Sequence, residues 1–190
     1  MSANREIGPS ETYLVDVEFD MVTTIAPDQT NTAVGLGNSG SNYTAYGQVP
    51  VIIRMYQGTF GAYNGNKGYV QSTVKFEQNA KYHIRVQVNL KSKTYSAYVT
   101  VPGGKEVVFA ENFGYRSSAA APSNIGKIYL FNNERPEASY WLDKIKLKDV
   151  ADTDTSAVYD RISELEELLT SSINTEAKMT ALQDAIDLVK

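Results

Sequence analysis

KYHIRVQVNLKSKTYSAYVTVPGG, residues 81–104, decides the fold of this chain. Tyr82, Ile84, Val86, Val88 and Leu90 alternate with His83, Arg85, Gln87 and Asn89. A period of two sends one set of side chains to a core and leaves a polar face opposite. Lys91, Ser92 and Lys93 turn the chain, and Tyr95, Ala97 and Val99 repeat the apolar face against Ser96, Tyr98 and Thr100. Pro102, Gly103 and Gly104 end the second strand, because proline lacks a backbone donor and glycine accepts positive φ. The stretch predicts a long antiparallel hairpin whose wet face is open to solvent or to a ligand.

The alternation continues on both sides. Residues 13–21 put Tyr13, Val15, Val17, Phe19 and Met21 on one face and Asp16, Glu18 and Asp20 on the other. A turn cluster at Ala26, Pro27 and Asp28 precedes a short strand over 33–36. Residues 49–56 turn Val51, Ile53 and Met55 inward and Ile52, Arg54 and Tyr56 outward, then Gln57-Gly58 leads into a strand over 59–63 and another over 69–75. After the hairpin come a short apolar strand at 106–110, a connection over 113–122, a strand at 127–131 and a last one at 140–147. In that last strand Trp141, Asp143, Ile145 and Leu147 share one side, which reads as the core side. Closely spaced strands with no helix between them predict an all-β fold, a two-sheet antiparallel jelly-roll sandwich over residues 13–150. Residues 1–12, polar and carrying Gly8-Pro9, read as a leader.

Composition narrows the functional classes. The chain has 190 residues, 13 tyrosines, 13 glycines and no cysteine. Thiol chemistry, disulfides and cysteine-based zinc sites are therefore excluded. His83 is the single histidine, which excludes sites needing several. A net charge of −4 carries no nucleic-acid signature. No apolar run approaches the roughly 20 residues of a membrane span, and the first residues have no apolar segment of the signal-peptide type. The charge breaks near Val150: nine acids and three bases follow it, against thirteen acids and fifteen bases before. In residues 151–190, Val158, Ile162, Leu165 and Leu169, then Met179, Leu182, Ile186 and Val189, recur at helical spacing. These narrow stripes predict an acidic helical segment that needs a partner, either a neighbouring domain of a larger protein or a second copy of the chain.

Four runs, VGLGNS (34–39), VIIRMYQGTFGAYNG (51–65), YHIRVQVNLKSKTYSAYVTVPGG (82–104) and FGYRSS (113–118), occur in an order that resembles one known domain family. It is the concanavalin-like, laminin-G-like jelly-roll accessory domain of secreted bacterial polysaccharide-degrading proteins. The resemblance spans residues 13–150, and WLDKIKL (141–147) is similar to the closing strand of such jelly rolls. It implies an extracellular or cell-surface location beside lyase or hydrolase domains, and carbohydrate attachment or a structural accessory role; the expectation is a carbohydrate-binding module without catalysis.

The candidate ligand site is the polar face of the middle strands: Arg54, Tyr56, Tyr63, His83, Arg85, Gln87 and Tyr98. Aromatic faces stack on pyranose rings and an arginine forks a carboxylate, so the expected ligand is a polysaccharide, including one with uronic acids. Asp143, an acid on a core-facing stripe, needs backbone capping or a structural calcium. Asp16, Glu18 and Asp20 faintly resemble the acidic strand of concanavalin-fold glucanases, and a retaining pair needs carboxyls about 5–5.5 Å apart; a solvated face is the stronger reading. Asn38, Asn64 and Asn132 read as turn formers. Gly35-Leu36-Gly37 has no phosphate-binding helix after it. The rival to a carbohydrate-binding module is a structural subunit or adhesin of a surface filament or phage appendage, assembled through residues 151–190. Removing residues 151–190 is expected to leave the melting temperature of the β domain nearly unchanged; a large loss in a dilute monomer would refute the boundary at Val150.

Overall fold

The computed structural model describes residues 2–132, 140–150 and 183–185. The chain divides into two compact units, Met1–Ala151 and Asp152–Lys190. In the second, residues 183–185 are helical, and the two apolar stripes expected there lie outside the described residues. No helix of the described residues is long and apolar enough to cross a membrane.

The first unit is built from β1 (Ser2–Glu6), β2 (Leu14–Thr23), β3 (Asn31–Gly37), β4 (Val51–Tyr56), β5 (Thr59–Asn64), β6 (Gly68–Lys75), β7 (Lys81–Asn89), β8 (Thr94–Thr100), β9 (Glu106–Gly114), β10 (Lys127–Asn132) and β11 (Tyr140–Asp149). They form a six-stranded sheet in the order β1-β10-β3-β4-β5-β6 and a five-stranded sheet in the order β11-β2-β7-β8-β9. The pairings are antiparallel. This is the expected jelly-roll sandwich.

Its core is the meeting of two alternating faces. Val15, Val17 and Phe19 of β2, Ile84, Val86 and Val88 of β7, and Tyr95, Ala97 and Val99 of β8 are at most 1% exposed. They share one cluster with Val34, Leu36, Val51, Ile53, Met55 and Phe60 of the other sheet. Each fully buried aliphatic or aromatic side chain contributes about 1.5–3 kcal/mol. The β7–β8 hairpin forms in the register that the alternation predicts, His83 opposite Thr100 and Asn89 opposite Thr94. Its turn is held by Asn89, whose Oδ1 accepts the N–H groups of Lys91 (3.0 Å) and Ser92 (2.9 Å). Tyr95 supplies a polar tie between the sheets: its hydroxyl reaches across the core to the carbonyl oxygens of Ile52, at 3.0 Å, and Tyr63.

Three expectations are corrected. Residues 1–12 do not stand apart as a leader: β1 pairs with β10, and beyond it Ile7 and Ser10 donate to the carbonyls of Gly126 and Ile125 at 2.8 and 2.7 Å. An edge strand is held by backbone pairing, so its side chains can stay polar and leave no apolar pattern. β9 runs on through Gly114, where a connection is expected from residue 113. In β11 the register shifts between Asp143 and Lys146, and Lys144 takes φ 50°. That bulge reverses the facing of the strand. Leu142, Ile145 and Leu147 pack on the core, whereas Trp141 is 53% exposed and Asp143 is exposed as well.

Tyr95→Phe removes the donor that satisfies carbonyls from two strands. It is expected to keep the fold by circular dichroism and to cost about 1–2 kcal/mol in denaturant melts; an unchanged midpoint would show that the hydroxyl is not a tie.

Candidate ligand-binding face

The sandwich separates the seven predicted site residues. Arg54, Tyr56 and Tyr63 belong to β4 and β5 of the six-stranded sheet; His83, Arg85, Gln87 and Tyr98 belong to β7 and β8 of the five-stranded sheet. Because the inner faces meet in the core, the two polar faces point away from each other. The single surface expected from the sequence is two surfaces.

The five-stranded face is internally neutralised. Arg85 forks Glu106 with Nε at 3.0 Å and Nη2 at 2.7 Å, lies 3.6 Å from Asp16 and stacks 3.9 Å over the Tyr98 ring. Gln87 donates to Asp16 at 3.1 Å. His83 Nδ1 is 3.0 Å from Asp20, and Lys144 and Lys81 approach the same carboxylate at 3.3 and 3.8 Å. Lys148 pairs with Glu18 at 2.6 Å. The hydrogen bond from Arg85 holds Glu106 below the usual carboxylate range, and Glu106 in turn raises Arg85. Burial pushes the Asp20 carboxyl up, but His83, Lys144 and Lys81 outweigh it and leave the group lowered. Asp16, Glu18 and Asp20 are thus each engaged by a basic neighbour, and the Arg85 fork expected to take a sugar carboxylate already holds one from the protein. Beside them Gln87, Asn89, Ser92, Thr94, Ser96 and Asn112 line a polar depression of about 340 Å³. Asp143, the residue on which a calcium would rest, accepts the Lys144 N–H at 2.8 Å from an exposed position. Among the described residues no group of three acidic or imidazole side chains could hold a metal ion.

The six-stranded face is different. Its outward positions on β3 are Ala33, Gly35 and Gly37, and the two glycines leave room for the connection to β4 to lie back over the sheet. A Cβ on Gly35 would stand 2.5 Å from Val49, and one on Gly37 2.3 Å from the Tyr43 ring. Ser41 bonds the Tyr129 hydroxyl at 2.8 Å, and Tyr43 packs 5.0 Å from the Tyr129 ring. Asn38 closes the base by accepting the N–H groups of Ser123 and Asn124. Ala33, Val49, Ile52, Tyr129 and Phe131 form a second small apolar cluster here, so Ile52 faces outward yet is covered.

Beside that cluster the tyrosines and arginines interleave. Arg54 lies 4.2 Å over Tyr56 and 3.8 Å over Tyr69. Tyr63 and Tyr69, opposite each other in β5 and β6, meet edge to face at 5.0 Å. Arg116 lies 3.6 Å over Tyr63 and 5.7 Å from both Tyr46 and Tyr69. Gln71 accepts from Arg54 Nε at 3.0 Å while donating to the Tyr56 carbonyl and the Thr59 hydroxyl. Gly61 permits this, since a Cβ there would stand 2.1 Å from the Gln71 Oε1. Burial pushes the Arg54 guanidinium below its usual value and the Tyr69 phenol above its own.

Sequence reasoning placed Arg54, Tyr56 and Tyr63 in this cluster and missed Tyr46, Tyr69, Gln71 and Arg116. Arg116 arrives from another part of the chain. Gly114 donates to Asn64 Oδ1 at 3.1 Å, and the Arg116 N–H donates to the Pro50 carbonyl at 2.9 Å, which brings the end of β9 against the six-stranded sheet. The signal available beforehand was an arginine after two aromatics in FGYRSS, within a run already singled out.

Strand order and packing define the class: a concanavalin-like jelly roll with a tyrosine–arginine outer face. No family model matches the sequence. In sequence the chain is 30% identical over 124 residues to a gellan lyase from Bacillus sp, a match over 64% of this chain and 5% of the relative. In structure it is similar to a sialidase, with a TM-score of 0.55 and 15% identity over 92% of this chain and 17% of that one. The lectin UEA-II complexed with galactose and the metal-free lectin I-B4 of Griffonia simplicifolia each match with a TM-score of 0.50 and 10% identity, over 77% of both chains.

Two of the lowered carboxylates, Asp20 and Glu106, lie on the five-stranded face, and their ion pairs make it acid-sensitive. A group whose pKa falls on folding stabilises the fold while ionised, and that contribution is lost as the pH drops through the lowered value. For Asp20 and Glu106 the loss begins below their ordinary values of 3.8 and 4.5. Melting temperature is expected to decline over about pH 5 to 2, less steeply in Glu106→Gln; equal slopes in variant and wild type would exclude this pair as a contributor.

Proposed function

We propose that the outer face of β4, β5 and β6 binds a polysaccharide, and an acidic one, without catalysis by this chain. The observation that carries the reading is the gathering of Tyr46, Tyr56, Tyr63 and Tyr69 around Arg54 and Arg116 on one outer face. Tyrosine offers a rigid apolar face to the C–H side of a sugar ring and a hydroxyl to its edge. Arginine adds recognition of a carboxylate. Tyr46, 37% exposed, is the open end of the platform. The polar depression on the opposite sheet has no exposed aromatic ring among its lining residues, so it favours the reading less.

The chain would act as an accessory domain outside the cell, joined to a polysaccharide-degrading enzyme. Its similarity to a short stretch of a much longer gellan lyase supports that placement. Isothermal titration against neutral and acidic oligosaccharides tests the reading. Tyr46→Ala and Tyr56→Ala are expected to weaken binding about tenfold each, or 1.4 kcal/mol, in high salt as well as low. Arg85→Ala is expected to leave affinity unchanged. If both tyrosine variants bind like wild type, the site lies elsewhere; if wild type binds no oligosaccharide, the structural-subunit reading through residues 151–190 replaces this one.

A further inference from the structure

Among the described residues, two cations of the tyrosine face have no counter-charge. Arg116 is 7% exposed, and its Nε is buried with no hydrogen-bond partner. Its Nη2 reaches the Tyr69 hydroxyl at 3.4 Å, a long contact. Arg54 spends its Nε on Gln71. Neither arginine is in an ion pair among the described residues, although Arg85 on the opposite sheet forks Glu106 and approaches Asp16. Stacking on tyrosine offsets part of the cost of removing a guanidinium from water, but a tyrosine ring carries no net charge. A buried cation without a charged partner, with a second cation near the same ring, is unfavourable until an anion joins them.

We propose that Arg54 and Arg116, both against the Tyr69 ring, form the binding site for an oxyanion carried by the saccharide, a carboxylate or a sulfate ester. The proposal rests on the saccharide reading of this face and adds the residue that reads charge: Arg116. Guanidinium groups match the paired oxygens of either anion, and the low-dielectric tyrosine surround strengthens the attraction. Tyr46 and the half-buried rings around it hold the neutral part of the sugar, while Arg54 and the deeper Arg116 read its charge.

The test is titration of the full chain with three probes: an oligoglucuronide, its carboxyl-reduced neutral form, and a sulfated oligosaccharide of the same length. Wild type is expected to prefer at least one charged probe over the neutral one by about tenfold or more, with the preference shrinking as salt rises. Arg116→Gln is expected to remove the preference, and Arg116→Lys to retain part of it. Should the Arg116 variants fail to fold, Arg54→Gln, at a more open position, is expected to cut the preference in the same direction. Which charged probe binds identifies the anion. Equal affinity for charged and neutral probes would overturn the oxyanion site and leave the saccharide reading standing. A preference that survives in Arg116→Gln and Arg54→Gln alike would overturn the assignment to these residues. Binding of none of the three would overturn both.

Discussion

The main core of this sandwich is one face of each sheet buried against the other. Phe19, Ile84, Val86 and Val99 on one side and Leu36, Ile53, Met55 and Phe60 on the other meet there at almost complete exclusion from water. Tyr95 adds a polar tie through the same core without leaving its hydroxyl unpaired. Everything outside the core follows from this constraint. The remaining faces are forced to opposite sides of the domain, and no residue of one can cooperate directly with a residue of the other at a shared ligand.

The two outer faces resolve their charges differently. On the five-stranded sheet every cation discussed above has a carboxylate from a neighbouring strand, and cross-strand pairs of this kind hold a sheet surface in register. Lys148 with Glu18, Arg85 with Asp16, and Lys144 with Asp20 are examples. On the six-stranded sheet Arg54 and Arg116 meet aromatic rings instead. Aromatic contacts orient a guanidinium while leaving its charge uncompensated. An ion-paired surface and an aromatic-paired surface therefore share one fold, distinguished by what stands opposite the arginines.

The tyrosine–arginine surface also depends on small residues whose value is the space they leave. Gly35 and Gly37 let Val49 and Tyr43 lie on the sheet, and Gly61 lets Gln71 cross to Arg54. A larger side chain at any of these would displace the side chain that covers it. The platform is thus assembled from β4 to β6, from the connection preceding β4, and from the segment after β9, three stretches held together by short backbone and asparagine contacts.

Alternation of apolar and polar residues was enough to predict an all-β sandwich, the hairpin of residues 81–104 and the inward set of most strands, because the pleat imposes a period of two whatever the partner strand is. The same pattern is blind to partners. It assigned Arg54 and Arg85 equally to an outer face and carried no information on which sheet each strand joins, so a single site was read where there are two surfaces. It could not register the bulge at Lys144, since one extra residue flips the facing of Trp141 and Asp143 relative to Ile145 without changing composition. It passed over β1, whose pairing is made by the backbone. Arg116 lay in a recognisable run, but its place beside Tyr63 is decided by contacts between residues far apart in the chain. Which side of a strand is wet is local chemistry and legible in the sequence; which wet residues become neighbours is settled only when the sheets close.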